Sequence, residues 1–415
     1  MKFRTTAAAI IIAWLSTICI YAQTTQPLVL NQAGTKYYAG FTRASTVLSN
    51  GTTVIVGAKL LQQERHKETG FITFIRSDGS LIKEVLLGKN VEGGCKMKGI
   101  IAEPGTDNVY AIGSTILQTG RFKSNEMYDY DALLVKLDKN GNILWHKVFG
   151  SRHTDRIKQL CFTPEGNIAT FGKEGKTRMT SEATMRTFSP SGQMLGRKVL
   201  PFGEKDYIMH TCTAQNGGYW FAVGTSIKND KNQDIIAMPT LHRINAAGQK
   251  VAQTAIRGSG RNIINDLTET NDGQVLLAMT SYSNDGDFIG TGHYVLSFDQ
   301  QAQMQWRQHF LIDSPEIHTI KIAANEQGEI YCAFNVRSVV PEFPLKVVGI
   351  LNVWLAKLDR NGGLVSKKRL DALGHFTECV DIDCHQGTLR MSIDGVPKRK
   401  TSTYVPHDVW FCSVA

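Results

Sequence analysis

Past its first twenty residues, the sequence contains no apolar run long enough to cross a bilayer as a helix, which needs about 20 residues. It also lacks long stretches of helical periodicity, so a bundle or a doubly wound α/β fold is excluded. Proline is scarce, at 11 of 415 residues, and glycine is not, at 38. That balance excludes collagen-like and proline-rich disordered chains. No C-x-x-C pair occurs and zinc-ligand spacing is absent. There is no H-E-x-x-H, no G-x-S-x-G, no Walker loop, and no G-x-G-x-x-G opening a helix. Gly258-Ser259-Gly260 lies between β patterns and reads as a turn. These absences leave no catalytic residue and no metal or cofactor to assign.

What is present begins with an N-terminal targeting pattern. Lys2 and Arg4 form a basic start, Ala7 to Ile20 an apolar core, and Ala22 a small residue before Gln23. This order is that of a secretory signal peptide over residues 1–22. Cys19 falls within the removed segment, where its bulky Ile18 neighbour is wrong for lipid-box processing. The expected compartment is therefore periplasmic, outer-membrane-associated or extracellular, with no integral span after signal removal. Loss of Lys2 and Arg4 leaves 44 basic against 37 acidic residues, lowering the formal charge from +9 to +7. The clusters at 65–67, 367–369 and 398–400 read as solvated loop charge, or as contacts for an anionic surface such as lipid head groups or acidic glycans. Nucleic acid is not an expected partner of an exported chain with no nucleic-acid-binding motif. Seven cysteines remain, an odd number, and most are expected to be small buried apolar residues.

The middle of the chain is repetitive. Asp131 to Gly150 reads DALLVKLDKNGNILWHKVFG: an alternating strand, an Asn140-Gly141 turn and a second strand through Trp145. An N-G between alternating runs is a strong hairpin signal. Related phrases turn at Gly79, Gly141, Gly192, Gly248, Ala302 and Gly362. A second series interleaves, turning at Gly51, Asp107, Gly166, Gly218, Gly273, Gly328 and Gly387. Six residues beyond each of these stand Gly57, Gly113, Gly172, Gly224, Met279, Phe334 and Ile393, small in the first four units only. Two hairpins per unit make four strands, and units of that size repeated radially make β-propeller blades. The expected fold is all-β: a single seven-bladed β-propeller over residues 23–415, with four antiparallel strands per blade. Asp408-Val409-Trp410-Phe411 aligns with the third strand of the second unit, so the last blade lacks a fourth. Pro27-Leu28-Val29-Leu30 belongs to no earlier unit and is expected to supply that outer strand, closing the ring and covering an exposed edge.

On Asp131, Lys136, Asp138, Gly141, Trp145, Gly150, Gly166 and Gly172 the sequence resembles the short β-propeller repeats of exported bacterial proteins. The Ala22-Gln23 junction and the Thr-rich sequence after it look like exported proteins of the Bacteroidetes. The resemblance implies the fold and an envelope or extracellular location, but no single activity.

The remaining candidates are few. Asp230-Lys231-Asn232-Gln233-Asp234 has the oxygen spacing of a calcium loop but neither its Gly nor its distal Glu. With Asp129-Tyr130-Asp131 and Asp285-Gly286-Asp287, it reads as an acidic turn. His153, His210, His318 and His375 fall in or just before the expected innermost strands, whose ends form the axial funnel where propellers bind ligands. They are candidates for a binding site and, alternatively, for metal or base chemistry near their ordinary pKa. Tyr219-Trp220-Phe221 and Trp354 are expected to pack between blades. The insertions Gln118–Tyr130 and Arg337–Val348 are candidate interfaces. The favoured function is an exported envelope or surface binding or scaffold module engaging a protein or glycan through one propeller face. The alternatives are a lyase or hydrolase with its site in the axial funnel, and a component of a larger secretion or envelope assembly.

Overall fold

The computed structural model describes residues 22–24, 28–29, 37–61, 68–87, 94–115, 130–151, 153, 155–176, 180–203, 206–228, 234–256, 262–281, 292–310, 316–338, 350–370, 376–385, 388–396 and 408–414. Every regular element among them is a β-strand. None is a helix long and apolar enough to cross a membrane. The N-terminal chain holds two short strands, β1 (Ala22–Thr24) and β2 (Leu28–Val29). The first blade follows: β3 (Tyr37–Val47), β4 (Thr53–Leu61), β5 (Glu68–Ile75) and β6 (Leu81–Leu87). The second comprises β7 (Cys95–Ala102), β8 (Val109–Thr115), β9 (Asp131–Leu137) and β10 (Ile143–Phe149). The third comprises β11 (Arg156–Phe162), β12 (Ile168–Gly175), β13 (Ser181–Phe188) and β14 (Met194–Val199). The fourth comprises β15 (Asp206–Thr213), β16 (Tyr219–Lys228), β17 (Asp234–Ile244) and β18 (Lys250–Ala255). The fifth comprises β19 (Asn262–Glu269), β20 (Val275–Ser281), β21 (Gly292–Phe298) and β22 (Met304–Phe310). The sixth comprises β23 (Glu316–Ala324), β24 (Ile330–Ser338), β25 (Ile350–Leu358) and β26 (Leu364–Leu370).

Each of these six is a sequential antiparallel sheet of four strands. The last sheet is built differently, from β27 (Phe376–His385), β28 (Thr388–Val396) and β29 (Asp408–Val414). The outer edge of β29 pairs with β1, Ala22 opposite Val414, and with β2, Leu28 opposite Val409. The expectation of seven like blades of four strands is thereby corrected to six. In this composite sheet the outer position is shared by two short strands from the other end of the sequence. The innermost strands touch in the order β3, β7, β11, β15, β19, β23, β27, and β27 touches β3.

Both turn series have one physical basis. A tight turn ending in a residue in the left-handed region closes these hairpins, with one residue more in the loop between β7 and β8. The Gly141 amide donates to the Asp138 carbonyl and the Asp138 amide to the Asn142 carbonyl. The Asp138 carboxylate accepts the Asn140 and Asn142 amides at 2.9 and 2.8 Å. Asp359 repeats this with the Asn361 and Gly363 amides. Where the two series lack glycine, Asp107 and Ala302 still adopt φ of 58° and 60°. Gly387 lies outside the described residues.

The core lies between sheets. Separate apolar clusters fill the spaces from the first blade through to the composite sheet. Trp220 and Phe221 are fully buried and Tyr219 nearly so. Alternation explains their split: Trp220 joins the cluster toward the fifth blade, while Tyr219 and Phe221 join the one toward the third. The repeat residues are glue of the same kind. Lys136 pairs with Glu103 at 3.3 Å and lies 4.8 Å from the Tyr110 ring centre. Trp145 donates to the Pro190 carbonyl of the next blade at 3.1 Å, and its ring lies under Gly192. In the sixth blade, Lys357 pairs with Glu329 at 2.7 Å over the Tyr331 ring. Burial opposes ionisation of Glu103. Hydrogen bonds from Thr106, Asn108 and Tyr110, with the Lys136 charge, nevertheless hold its carboxyl down to about 2.

A bulge interrupts every innermost strand where it pairs with its neighbour, leaving one extra residue: Arg43, Lys98, Lys158, Met209, Asn265, His318 and Val380. This accounts for the small residue of the early repeats. Gly113 pairs with Met97 and Gly172 with Ile157, each just before the bulge. A Cβ on Gly113 would overlap the Lys96 carbonyl, and one on Gly172 the Arg156 carbonyl. We expect Gly113→Ala and Gly172→Ala each to lower unfolding free energy by about 1–3 kcal/mol, since backbone cannot yield as a side chain does. Urea unfolding measures it, and two variants as stable as the parent would refute the close-approach account.

Candidate axial site

Innermost strands pair on one edge only, so their residues converge on the ring axis. His210 follows the β15 bulge, Asp266 the β19 bulge and Asp381 the β27 bulge, all at the same register position. Lys321 lies between the two acids, on β23. His210 Nδ1 is 3.6 Å from Asp266 Oδ1. Asp266 also accepts the Ile322 amide of the next blade at 3.1 Å and the Leu267 amide at 3.0 Å. Asp381 accepts the Ser45 amide at 2.8 Å and the Ser45 hydroxyl at 3.2 Å, linking the composite sheet to the first blade.

Burial sets the electrostatics here. It pushes His210 down to about 4, against the opposing pull of Asp266. It pushes Asp381 up to about 6, despite Lys321 and the Ser45 amide. Burial disfavours the Lys321 ammonium as well, but Asp266 and Asp381 more than compensate and raise it. The cluster places one ammonium, two carboxyls and a neutral imidazole on four neighbouring strands.

The opposite half of the channel is basic. Arg43, Lys98 and Lys158 occupy the bulge position on the consecutive strands β3, β7 and β11. Lys98 donates to Ser114 Oγ at 2.8 Å. Burial, then the charges of Lys158, Lys96 and Arg156, push Lys98 down to about 8. Burial and Arg156 lower Lys158 too. By surface area Lys158 is exposed, yet its charge is partly desolvated. That combination is expected of a group in open water between protein walls.

Of the four candidate histidines, only His210 is placed in this cluster. His153 lies in the connection before β11, where its carbonyl accepts the Ser151 hydroxyl at 3.2 Å. His318 is the extra residue of the β23 bulge, with its side chain undescribed, and His375 lies outside the described residues. Residues 230–233 and 285–287, Asp129, and most of the two candidate insertions also lie outside them, while Asp234 opens β17. Asp266, Lys321, Asp381 and the basic bulge residues were not singled out from sequence; aligning the innermost strands on their bulges would have found them. Among the described residues, no three His, Cys, Asp or Glu side chains are placed to hold a metal ion. Cys95, Cys161, Cys212, Cys332, Cys379 and Cys384 are free, and burial pushes Cys95 and Cys161 up to about 12, which suits packing rather than nucleophilic chemistry.

No family model matches the sequence, and no curated protein matches it either. Solved structures do. An ulvan lyase, described as a new family of polysaccharide lyase and solved bound to -[GlcA(1-4)Rha3S]-, is similar with a TM-score of 0.53 and 11% identity over 90% of this chain and 94% of its own. A protein of unknown function from Dyadobacter fermentans is similar with a TM-score of 0.51 and 10% identity over 78% of this chain and 96% of its own. These similarities show the class of the chain, a β-propeller. At such identities they show the fold alone.

His210, His242 and His293 are all held down to about 4, chiefly by burial. Each takes up its proton more readily in the unfolded chain, so stability falls as pH falls from about 6.5 toward 4. Asp381 acts oppositely, because its folded carboxyl holds the proton more tightly, and its contribution is lost as pH rises from about 4 to 6. We expect His210→Gln to reduce the acid dependence of unfolding free energy by up to ~1.4 kcal/mol per pH unit in that window. Urea unfolding across the range tests this; an unchanged slope would mean that His210 titrates normally.

Proposed function

We propose that the protein is an exported binding module of the bacterial envelope or surface, taking a protein or glycan at the mouth of its axial channel. In this reading residues 1–22 are removed on export, and β2 with the remainder of β1, Gln23 and Thr24, clasps the outer edge of the composite sheet. The supporting observation is the bulge in every innermost strand. It holds a residue of each sheet out of the ladder on a rigid frame, at the same distance from the hairpin in the first five blades. The chemistry there varies freely from Arg43 to Val380, as a binding surface requires. Attachment to a larger envelope assembly through the same face is compatible with this reading.

A second reading is favoured by one observation, the approach of His210 to Asp266: a lyase or hydrolase acting in the funnel. Incubating the mature chain with envelope extract and a panel of oligosaccharides separates the two. We expect saturable retention of a partner, with any retained glycan recovered at its original chain length. Shortened glycan, lost in His210→Gln, would establish the enzyme reading instead. Retention of nothing would overturn both.

A further inference from the structure

The channel carries unbalanced charge. On the β15–β27 side, one ammonium, Lys321, stands between the carboxyls of Asp266 and Asp381, and burial keeps His210 neutral. On the β3–β11 side, three adjacent bulge residues are all basic. Among the described residues, Lys98 and Lys158 form no ion pair with a carboxylate, whereas the neighbouring Lys96 pairs with Glu68 at 2.9 Å. Arg156 and Lys173 stand beside them on β11 and β12. Lys173 is itself lowered, by burial and then, against the pull of Asp206, by Arg156 and Lys158. Crowded like charges cost free energy, and an anion placed among them would recover it.

We propose that this arc, Arg43, Lys98 and Lys158 flanked by Lys96, Arg156 and Lys173, binds the anionic groups, carboxylate or sulfate ester, of an acidic saccharide. The proposal rests on the binding-module reading and names its ligand class. The arc spans three strands, so it suits oxyanions spaced along a chain better than one compact ion. Lysine supplies point charges rather than a rigid fork, which suits ligands whose oxyanions vary in geometry. Aromatic rings adjoin the cations. Tyr130 lies 4.9 Å from Lys96 Nζ, and Tyr207 lies 5.9 Å from Lys173 Nζ.

Calorimetric titration of the mature chain with an oligogalacturonate, the neutral oligosaccharide of equal length, inorganic sulfate and a single-stranded oligonucleotide tests the proposal. We expect the uronate to bind, sulfate to compete with it, and affinity to fall as salt is raised. Lys98→Gln and Lys158→Gln should each weaken binding at least about fivefold, as loss of a charge-assisted contact does. Lys98→Arg should retain binding, and the outer-strand variant Lys83→Gln should match the parent, with unfolding curves confirming that all are folded. Equal binding of the neutral sugar, tighter binding of the oligonucleotide, or indifference to both glutamine variants would overturn the proposal while leaving the binding-module reading intact. Binding of none of the four, by a chain that retains some other envelope partner, would overturn it in the same way.

Discussion

A circle of sheets depends on the contact between its last member and its first. Elsewhere around this ring the neighbours are joined by apolar clusters, each drawing strands from two consecutive sheets. Where the composite sheet meets the first blade, the described contacts are polar. Asp381 receives the Ser45 amide and hydroxyl, Ser392 donates to Ser45 Oγ at 2.7 Å, and Arg390 donates to the Gly51 carbonyl at 3.3 Å. Among the described residues of the first blade, Ile55, Phe71 and Ile75, with the partly buried Leu86, form a small separate apolar group. Residues more than three hundred positions apart are thus held by directional bonds, which fix register where hydrophobic packing alone would permit sliding.

The bulge is the second organising feature, and it links fold to site. By turning one residue per innermost strand out of the ladder, it brings backbone close to the second strand, which is why glycine stands at Gly113 and Gly172. The bulge residues are basic on β3, β7 and β11 (Arg43, Lys98, Lys158) and include no lysine, arginine or carboxylate on β15 to β27 (Met209, Asn265, His318, Val380). Packing and site therefore share one backbone irregularity, and the proposed ligand class follows from which residue each bulge presents.

Much of the fold was legible in the sequence, because hairpins are punctuated by residues with a backbone requirement. Asn140-Gly141 and its relatives announced themselves through glycine at positive φ. Asp107 and Ala302 kept the spacing without the glycine. The outer pairing of Leu28 and Val29 with β29 followed from a missing strand and an orphan segment. The bulges were not legible, since one inserted residue leaves apolar alternation almost unchanged over seven or eight positions. That omission misled the site prediction. His210 and His318 differ in their distance from the following turn because the β23 bulge lies farther from its hairpin than the β15 bulge does. Without the bulge as a reference, histidines were grouped by type, while Asp266, Lys321, Asp381 and the basic arc were scattered charges on separate strands.

The central claim is that the first blade and the composite sheet meet as neighbours. Ser45 and Ser392 place their hydroxyl oxygens 2.7 Å apart, from β3 and β28. Replacing both by cysteine and exposing the folded chain to mild oxidant tests that contact directly. The account predicts a disulfide between positions 45 and 392, recovered as a linked peptide by mass spectrometry and absent after unfolding in reductant. A folded double variant that keeps both thiols free, or pairs either with a different cysteine, would contradict it.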